Sequence, residues 1–355
     1  MKPSDVKVSL VKAIEAGRPA FLWGPPGVGK SMIVRQVADD LFSAEYSLRV
    51  DGQGRAYAAD GALLAFRPYF NDLRAVLLDP VDLRGLPSLN GDGRAHWAIP
   101  DFLPREGRGV LFLDEVNAAP PLVQAALYQL VLDRRIGEYA LPGGWSIVAA
   151  GNRETDRAVV SRMSSALGSR FAPHLTVEVD PGDWVAWALG AAVAVEVIAF
   201  IRYRPGLLHV FDPVKAERTF PCPRTWEFVS DILKVGPPAS VEFDMFSGTV
   251  GEAAAAEFLG FLRVFRSLPD IDEILRAPAS APVPAASETS VLYAVVGALS
   301  RRASVSNFGA VMIYGARLPK EFHVLLVRDS LRLHPEVANT AVYISWGSVN
   351  SDVLI

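Results

Sequence analysis

Two short clusters in this sequence have the residue types and spacing for phosphate chemistry. Gly24-Pro25-Pro26-Gly27-Val28-Gly29-Lys30-Ser31, followed by Met32, fits the pattern G-x-x-x-x-G-K-[ST]. Its glycines let a backbone turn aim successive N–H groups at an anion without side-chain obstruction. A helix starting behind the turn adds its own amides and the positive end of its dipole. In that setting Lys30 reaches the β- and γ-phosphates of a nucleoside triphosphate and the Ser31 hydroxyl ligates Mg2+. The second cluster is Val110-Leu111-Phe112-Leu113-Asp114-Glu115, an apolar run ending in two carboxylates. By itself this reads more readily as a strand whose acids cap the next helix. Downstream of a phosphate-binding loop, Asp114 is instead expected beside the metal and Glu115 beside an attacking water.

Such residues need a scaffold, and the hydrophobic pattern supplies one. Pro19–Trp23, Gly109–Leu113, Ser146–Ala150 and Leu175–Val179 are apolar runs of strand length, and a further strand is expected near Pro68–Arg74. Ser31–Phe42 and Pro121–Leu132 have apolar residues at helical spacing. Alternation of this kind predicts a parallel sheet flanked by helices. The stretch 43–108 carries the glycine turns DGQG, ADG and NGDG, which predict hairpins. Beyond Asp180 the pattern turns mainly helical, with helices expected over Asp183–Leu189 (Asp183 as N-cap), Val193–Tyr203, Pro223–Leu233, Gly248–Phe265, Val291–Leu299 and Lys320–Leu333. Ala277–Glu288, rich in Pro, Ala and Ser, predicts an extended connector. The division expected is an α/β core over 1–180 and a smaller helical domain with a C-terminal extension over 181–355.

Composition narrows the class. With 355 residues, 50% of them hydrophobic and 21% charged, the chain is long enough for two packed domains. A formal charge of -4 argues against a nucleic-acid footprint spread over the surface. The single cysteine, Cys222, excludes an intramolecular disulfide and suits a reducing compartment, so a cytoplasmic location is expected. Five scattered histidines lack the pairing of a zinc site. The N-terminus has no signal-peptide pattern. Trp184–Ile201 approaches the length of a membrane span, yet Glu196 and Gly190 interrupt it, so two buried helices and no membrane association are expected.

The order GPPGVGKS, LFLDE, AAGN, GSRF and CPRTWE resembles the AAA+ superfamily. The segments Asp79–Pro87 and Trp97–Pro104 are similar to those of its MoxR group in the helix-2-insert clade. The resemblance implies a P-loop NTPase core with a helical lid, an insert near 79–104, and ATP with Mg2+ as cofactors. It implies that Asn152 orients the attacking water, as an amide can, although Gly151-Asn152 read alone is simply a turn. It implies that Arg170 is an arginine finger acting on a neighbouring subunit, with a surface salt bridge as the alternative. Arg162, eight residues earlier, could share that role. Arg224 corresponds to the lid arginine that senses nucleotide, with local helix contacts as the alternative. Arg134–Trp145 resembles the hairpin before the Asn152 strand. Ala44–Arg67, with its DGQGRAYAADG hairpin, departs from the family pattern. The implied function is ATP hydrolysis in a homo-oligomeric ring, expected to be hexameric, that remodels a protein client together with a von Willebrand factor A domain protein. The alternatives are a nucleic-acid motor using the same nucleotide site and a scaffold that scarcely hydrolyses ATP.

Overall fold

The computed structural model describes residues 1–89, 91–156, 163–215, 218–268 and 270–350. It divides into two compact units, Met1–Asp180 with Asp212–Ala216 and Pro181–Phe211 with Glu217–Ile355.

In the first unit the chain runs α1 (Pro3–Glu15), β1 (Ala20–Trp23), α2 (Lys30–Phe42), β2 (Arg49–Val50), β3 (Ala56–Tyr57), β4 (Phe70–Arg74), α3 (Pro80–Arg84), β5 (Leu86–Leu89) and β6 (Ala95–Ala98). It continues with β7 (Arg108–Asp114), α4 (Pro121–Asp133), β8 (Arg135–Ile136), β9 (Tyr139–Ala140), β10 (Gly144–Gly151), α5 (Ser165–Gly168) and β11 (His174–Thr176). Five strands form one sheet in the order β11-β1-β10-β7-β4, and every pairing in it is parallel. The remaining strands pair as three antiparallel hairpins, β2–β3, β5–β6 and β8–β9.

Alternation along the strands divides the core. Phe21, Leu111, Leu113, Ile147 and Ala149 face a cluster shared with Val123, Leu127 and Leu130 of α4. Ala20, Leu22, Val110, Phe112, Val148 and Ala150 face the other way, onto Val6 and Leu10 of α1 and Ile33, Val34 and Val37 of α2. Val110 through Leu113 are fully buried, which explains why β7 is apolar on both faces. Each such side chain contributes about 1.5–3 kcal/mol by leaving water.

The departing segment 44–67 is fastened to α2. Arg67 donates to Asp39 at 2.5 and 3.2 Å and to the Gly54 carbonyl at 2.5 Å, and the Tyr69 hydroxyl donates to Asp39 at 2.8 Å. This ion pair is buried, with side-chain exposures of 11% for Arg67 and 8% for Asp39. Burial, reinforced by the adjacent carboxylate, pushes the Tyr69 phenol well above its ordinary range. At the other end of the segment, the Tyr46 hydroxyl donates to the Arg108 carbonyl (2.8 Å) and accepts from its N–H (2.9 Å). The strand after this insertion, β4, falls within the expected Pro68–Arg74.

The second unit is helical: α6 (Pro181–Gly190), α7 (Val195–Tyr203), α8 (Pro223–Val235), α9 (Ala239–Val250), α10 (Glu252–Arg266), α11 (Ile271–Arg276), α12 (Thr289–Arg302), α13 (Phe308–Gly315), α14 (Lys320–Leu333) and α15 (Ala341–Val349). Two expectations need correction. Asp183 is not the N-cap of α6 but lies inside its first turn, because the helix opens at Pro181. The single helix expected over Gly248–Phe265 is two, α9 and α10, broken at Gly251, whose φ of 84° no helix can accommodate. Among the described residues no helix is long and apolar enough to cross a membrane.

Candidate functional site

The glycine-rich turn links β1 to α2, and its last residue opens the helix. Gly29 has φ 91° and forms the N-cap, offering no side chain of its own to the first-turn amides. The N–H groups of Lys30, Ser31 and Met32 therefore begin a 13-residue helix without a side-chain cap, as an anion-binding terminus requires. A side chain at Gly29 would have to occupy a left-handed conformation that L residues reach only with strain. At Gly24 a Cβ would come within 3.1 Å of the Val177 carbonyl oxygen, so the entry to the turn is packed tightly against the chain beyond β11.

The structure brings five of the sequence-predicted side chains to the ends of three adjoining strands. Lys30, 9% exposed, donates from Nζ to the Gly24 carbonyl (2.7 Å), the Pro25 carbonyl (3.1 Å) and Asn152 Oδ1 (3.0 Å). Ser31 Oγ donates to Asp114 Oδ2 at 2.8 Å, and the other Asp114 oxygen accepts the Glu115 N–H at 2.9 Å. Glu115 has a left-handed backbone, φ 56° and ψ 33°, which costs a non-glycine residue about 1–2 kcal/mol. Pro25, Pro26, Gly27 and Val28 complete the turn, Val28 being buried at 6% exposure.

Asn117 belongs with them, although its type and place do not single it out in the sequence. It is 2% exposed, and its Nδ2 donates to the Asn152 carbonyl at 2.6 Å. A Cβ at Gly151 would lie 2.4 Å from Asn117 Oδ1, so the glycine before Asn152 is what admits this amide. A third carboxylate, Asp72, stands on β4 beside β7. Desolvation first, and the neighbouring Asp114 charge second, hold it above the usual carboxylate range. Its side chain also reaches solvent, which screens the effect.

Arg170 follows α5 and is exposed. Its guanidinium donates to the Tyr128 hydroxyl at 2.7 Å and lies 5.3 Å from that ring's centre. Arg224 belongs to the second unit, in the first turn of α8, whose start is closed by Thr225 Oγ1 accepting the Cys222 N–H at 2.8 Å. Arg162 lies outside the described residues. The hairpin of the expected insert, β5–β6, and the hairpin before β10, β8–β9, are tied together by His96 Nδ1 and Glu138 Oε2 at 2.9 Å. The Tyr139 hydroxyl also donates to the Pro104 carbonyl at 2.7 Å.

Comparison with known proteins places part of the chain. The family described as the AAA domain of the dynein-related subfamily matches residues 19–171. No curated protein matches. Among solved structures, a RuvB mutant from Thermotoga maritima is similar at 16% identity, over 83% of this chain and 80% of that one, with a TM-score of 0.39. NtrX from Brucella abortus in complex with ATP is similar at 11% identity, over 100% of this chain and 69% of that one, with a TM-score of 0.40. Likenesses this distant carry no argument about function. The five-stranded parallel sheet, the Lys30 loop between β1 and α2 and the matched segment together make the first unit an AAA+ core of the P-loop NTPase fold, followed by a helical C-terminal region.

Proposed function

We propose that this chain is a Mg2+-dependent ATPase of the MoxR group that works in a homo-oligomeric ring, hexameric by resemblance, in the cytoplasm. The observation that carries the reading is the convergence of Lys30, Ser31, Asp114, Glu115 and Asn152 at the ends of β1, β7 and β10. A hydroxyl and a carboxylate 2.8 Å apart form a hard-oxygen donor pair that fits Mg2+. Bound there, the ion would neutralise charge on the β- and γ-phosphate oxygens.

Each side chain then has one task. Lys30 trades its carbonyl partners for phosphate oxygens. The amides at the start of α2 hold the phosphates by their N–H groups. Glu115 accepts a proton from water, and Asn152 fixes that water in line with the γ-phosphate. Arg170 acts on the triphosphate of the neighbouring subunit, where a guanidinium stabilises charge spread over the transferring group. Arg224 reports nucleotide from the helical unit. Different helical-unit positions favoured by ATP and ADP would drive remodelling or activation of a protein client, alongside a von Willebrand factor A domain partner.

The test uses two variants and two readouts. Lys30→Ala should lose nucleotide binding. Glu115→Gln should keep ATP binding while turnover falls roughly 10²–10⁴-fold, the usual contribution of a general base. Near-parental turnover in Glu115→Gln would end the reading, as would tight ATP binding by Lys30→Ala.

A further inference from the structure

The residues just before the phosphate-binding turn and the residues that carry Arg170 are joined through one imidazole. His174 opens β11, in register with Phe21 of β1. Its Nδ1 lies 2.9 Å from Trp23 Nε1, and its Nε2 lies 2.9 Å from the Gly168 carbonyl oxygen. An indole N–H can only donate, so Nδ1 must accept. The proton then sits on Nε2, which donates to Gly168. Both ring nitrogens are thereby committed, in the one tautomer that satisfies both partners.

What the imidazole holds is the turn bearing Arg170. The Phe171 N–H returns to the Gly168 carbonyl at 3.1 Å, closing a four-residue turn with Ser169 and Arg170 at its centre. His174 supplies a second donor to that same carbonyl. Below the turn, Phe171 is 3% exposed and packs edge-on against Phe21, ring centres 5.1 Å apart. The Trp23 and His174 rings lie within 16° of parallel, 6.1 Å apart. Main-chain bonds from Ala172 to Pro19 (2.7 Å) and from Phe21 to Pro173 (2.9 Å) fasten the following residues to β1. Trp23 is the last residue of β1, immediately before Gly24. The imidazole thus bridges the strand that feeds a subunit's own phosphate-binding turn and the turn that presents Arg170 outward.

We propose that His174 is a positioning residue for Arg170: the His174–Gly168 hydrogen bond fixes the turn over 168–171, and the Trp23–His174 bond keys that turn to the strand entering the phosphate-binding loop. It rests on the reading of Arg170 as the residue acting on a neighbouring subunit, and the Arg170 control below tests that reading separately. The conservative variants divide the two bonds. A Gln amide nitrogen takes the place of Nε2 and can donate to Gly168. An Asn side chain reaches only as far as Nδ1 and can serve Trp23 alone.

Steady-state ATP turnover would be measured on assembled rings of the full chain for Arg170→Ala, His174→Ala, His174→Gln and His174→Asn, with thermal melts alongside. Because misplacing a catalytic group by about 1 Å can cost ~10²-fold, His174→Ala should lower kcat roughly 10-fold or more while KM for ATP stays within about two-fold. His174→Gln should recover to within about three-fold of the parent, and His174→Asn should resemble His174→Ala. Near-parental kcat in His174→Ala, where Arg170→Ala is strongly impaired, overturns the proposal. So does His174→Gln performing no better than His174→Asn at matched melting temperature. If Arg170→Ala itself turns over normally, the arginine reading falls first, and the positioning role falls with it. His174 is exposed at the start of a strand, and Gln and Asn keep it polar, so the Gln/Asn comparison holds even if the Ala variant assembles poorly.

Discussion

Gly151→Ala is the most informative small change at the site. β10 needs no special backbone angle there, so the substitution acts by volume alone. The added methyl would stand 2.4 Å from Asn117 Oδ1, 2.8 Å from its Cγ and 3.1 Å from the rim of Phe21. Phe21 and Asn117 are buried, so the amide is the group that must swing away, breaking its 2.6 Å bond to the Asn152 carbonyl. Overpacking costs about 1–3 kcal/mol, and a partly buried carbonyl left without its donor costs up to about 1–3 kcal/mol more. A total of about 2–6 kcal/mol lowers the melting temperature of the first unit by roughly 4–24 °C for a domain of this size. Turnover should fall about 10²-fold if Asn152 moves by about 1 Å. Asn117→Ala loses the bond but opens the space, so Gly151→Ala should cost almost nothing further in that background. Stability by urea denaturation and turnover for the two single variants and the double complete the cycle. Single costs that add to within ~0.5 kcal/mol would refute the collision.

Arg67→Met should destabilise by about 3–5 kcal/mol, because it strands the buried Asp39 carboxylate. Replacing both residues by apolar ones should restore most of that, as judged by urea midpoints; a cost below ~1 kcal/mol for Arg67→Met would show the pair to be loose. Burial pushes the Tyr139 phenol from 10.0 up to about 12. A raised folded value means that this contribution is intact below pH 10.0 and is lost as pH climbs through about 12. Tyr139→Phe lacks that loss and should gain on the parent by about 1.4 kcal/mol per pH unit across this window, and parallel stability–pH curves would contradict it.

The centre of the sheet was legible because β1, β7 and β10 carry apolar runs buried on both sides, and β7 announces itself in VLFL. The bounds of α14 could also be read, since Pro319 precedes a clean helical stripe that lasts to Leu333. Helix starts and breaks were harder. Asp183 has the side chain of a cap, but Pro181 is already suited to the first helical turn, and sequence does not say which of the two the chain will use. Gly251 is followed by Glu252 and four alanines that favour a helix, so the break before α10 hid at the edge of a helical pattern. At the site, Lys30, Ser31, Asp114 and Glu115 could be marked because each lies in a short pattern contiguous along the chain. Asn117, Asp72 and His174 could not, because each depends on a neighbour from a distant strand or loop. Asp39 and Arg67 are 28 residues apart, and neither type suggests burial until Tyr69 and the Gly54 carbonyl close around them.

The left-handed backbone at Glu115 sets durability against use. A glycine or asparagine would sit there comfortably, so a chain selected only to withstand heat would have reason to discard the glutamate. Its retention at the tip of β7 implies that the carboxylate repays the discomfort in some property other than folding. Attempts to harden this protein by consensus or by computed design should therefore leave that single position alone.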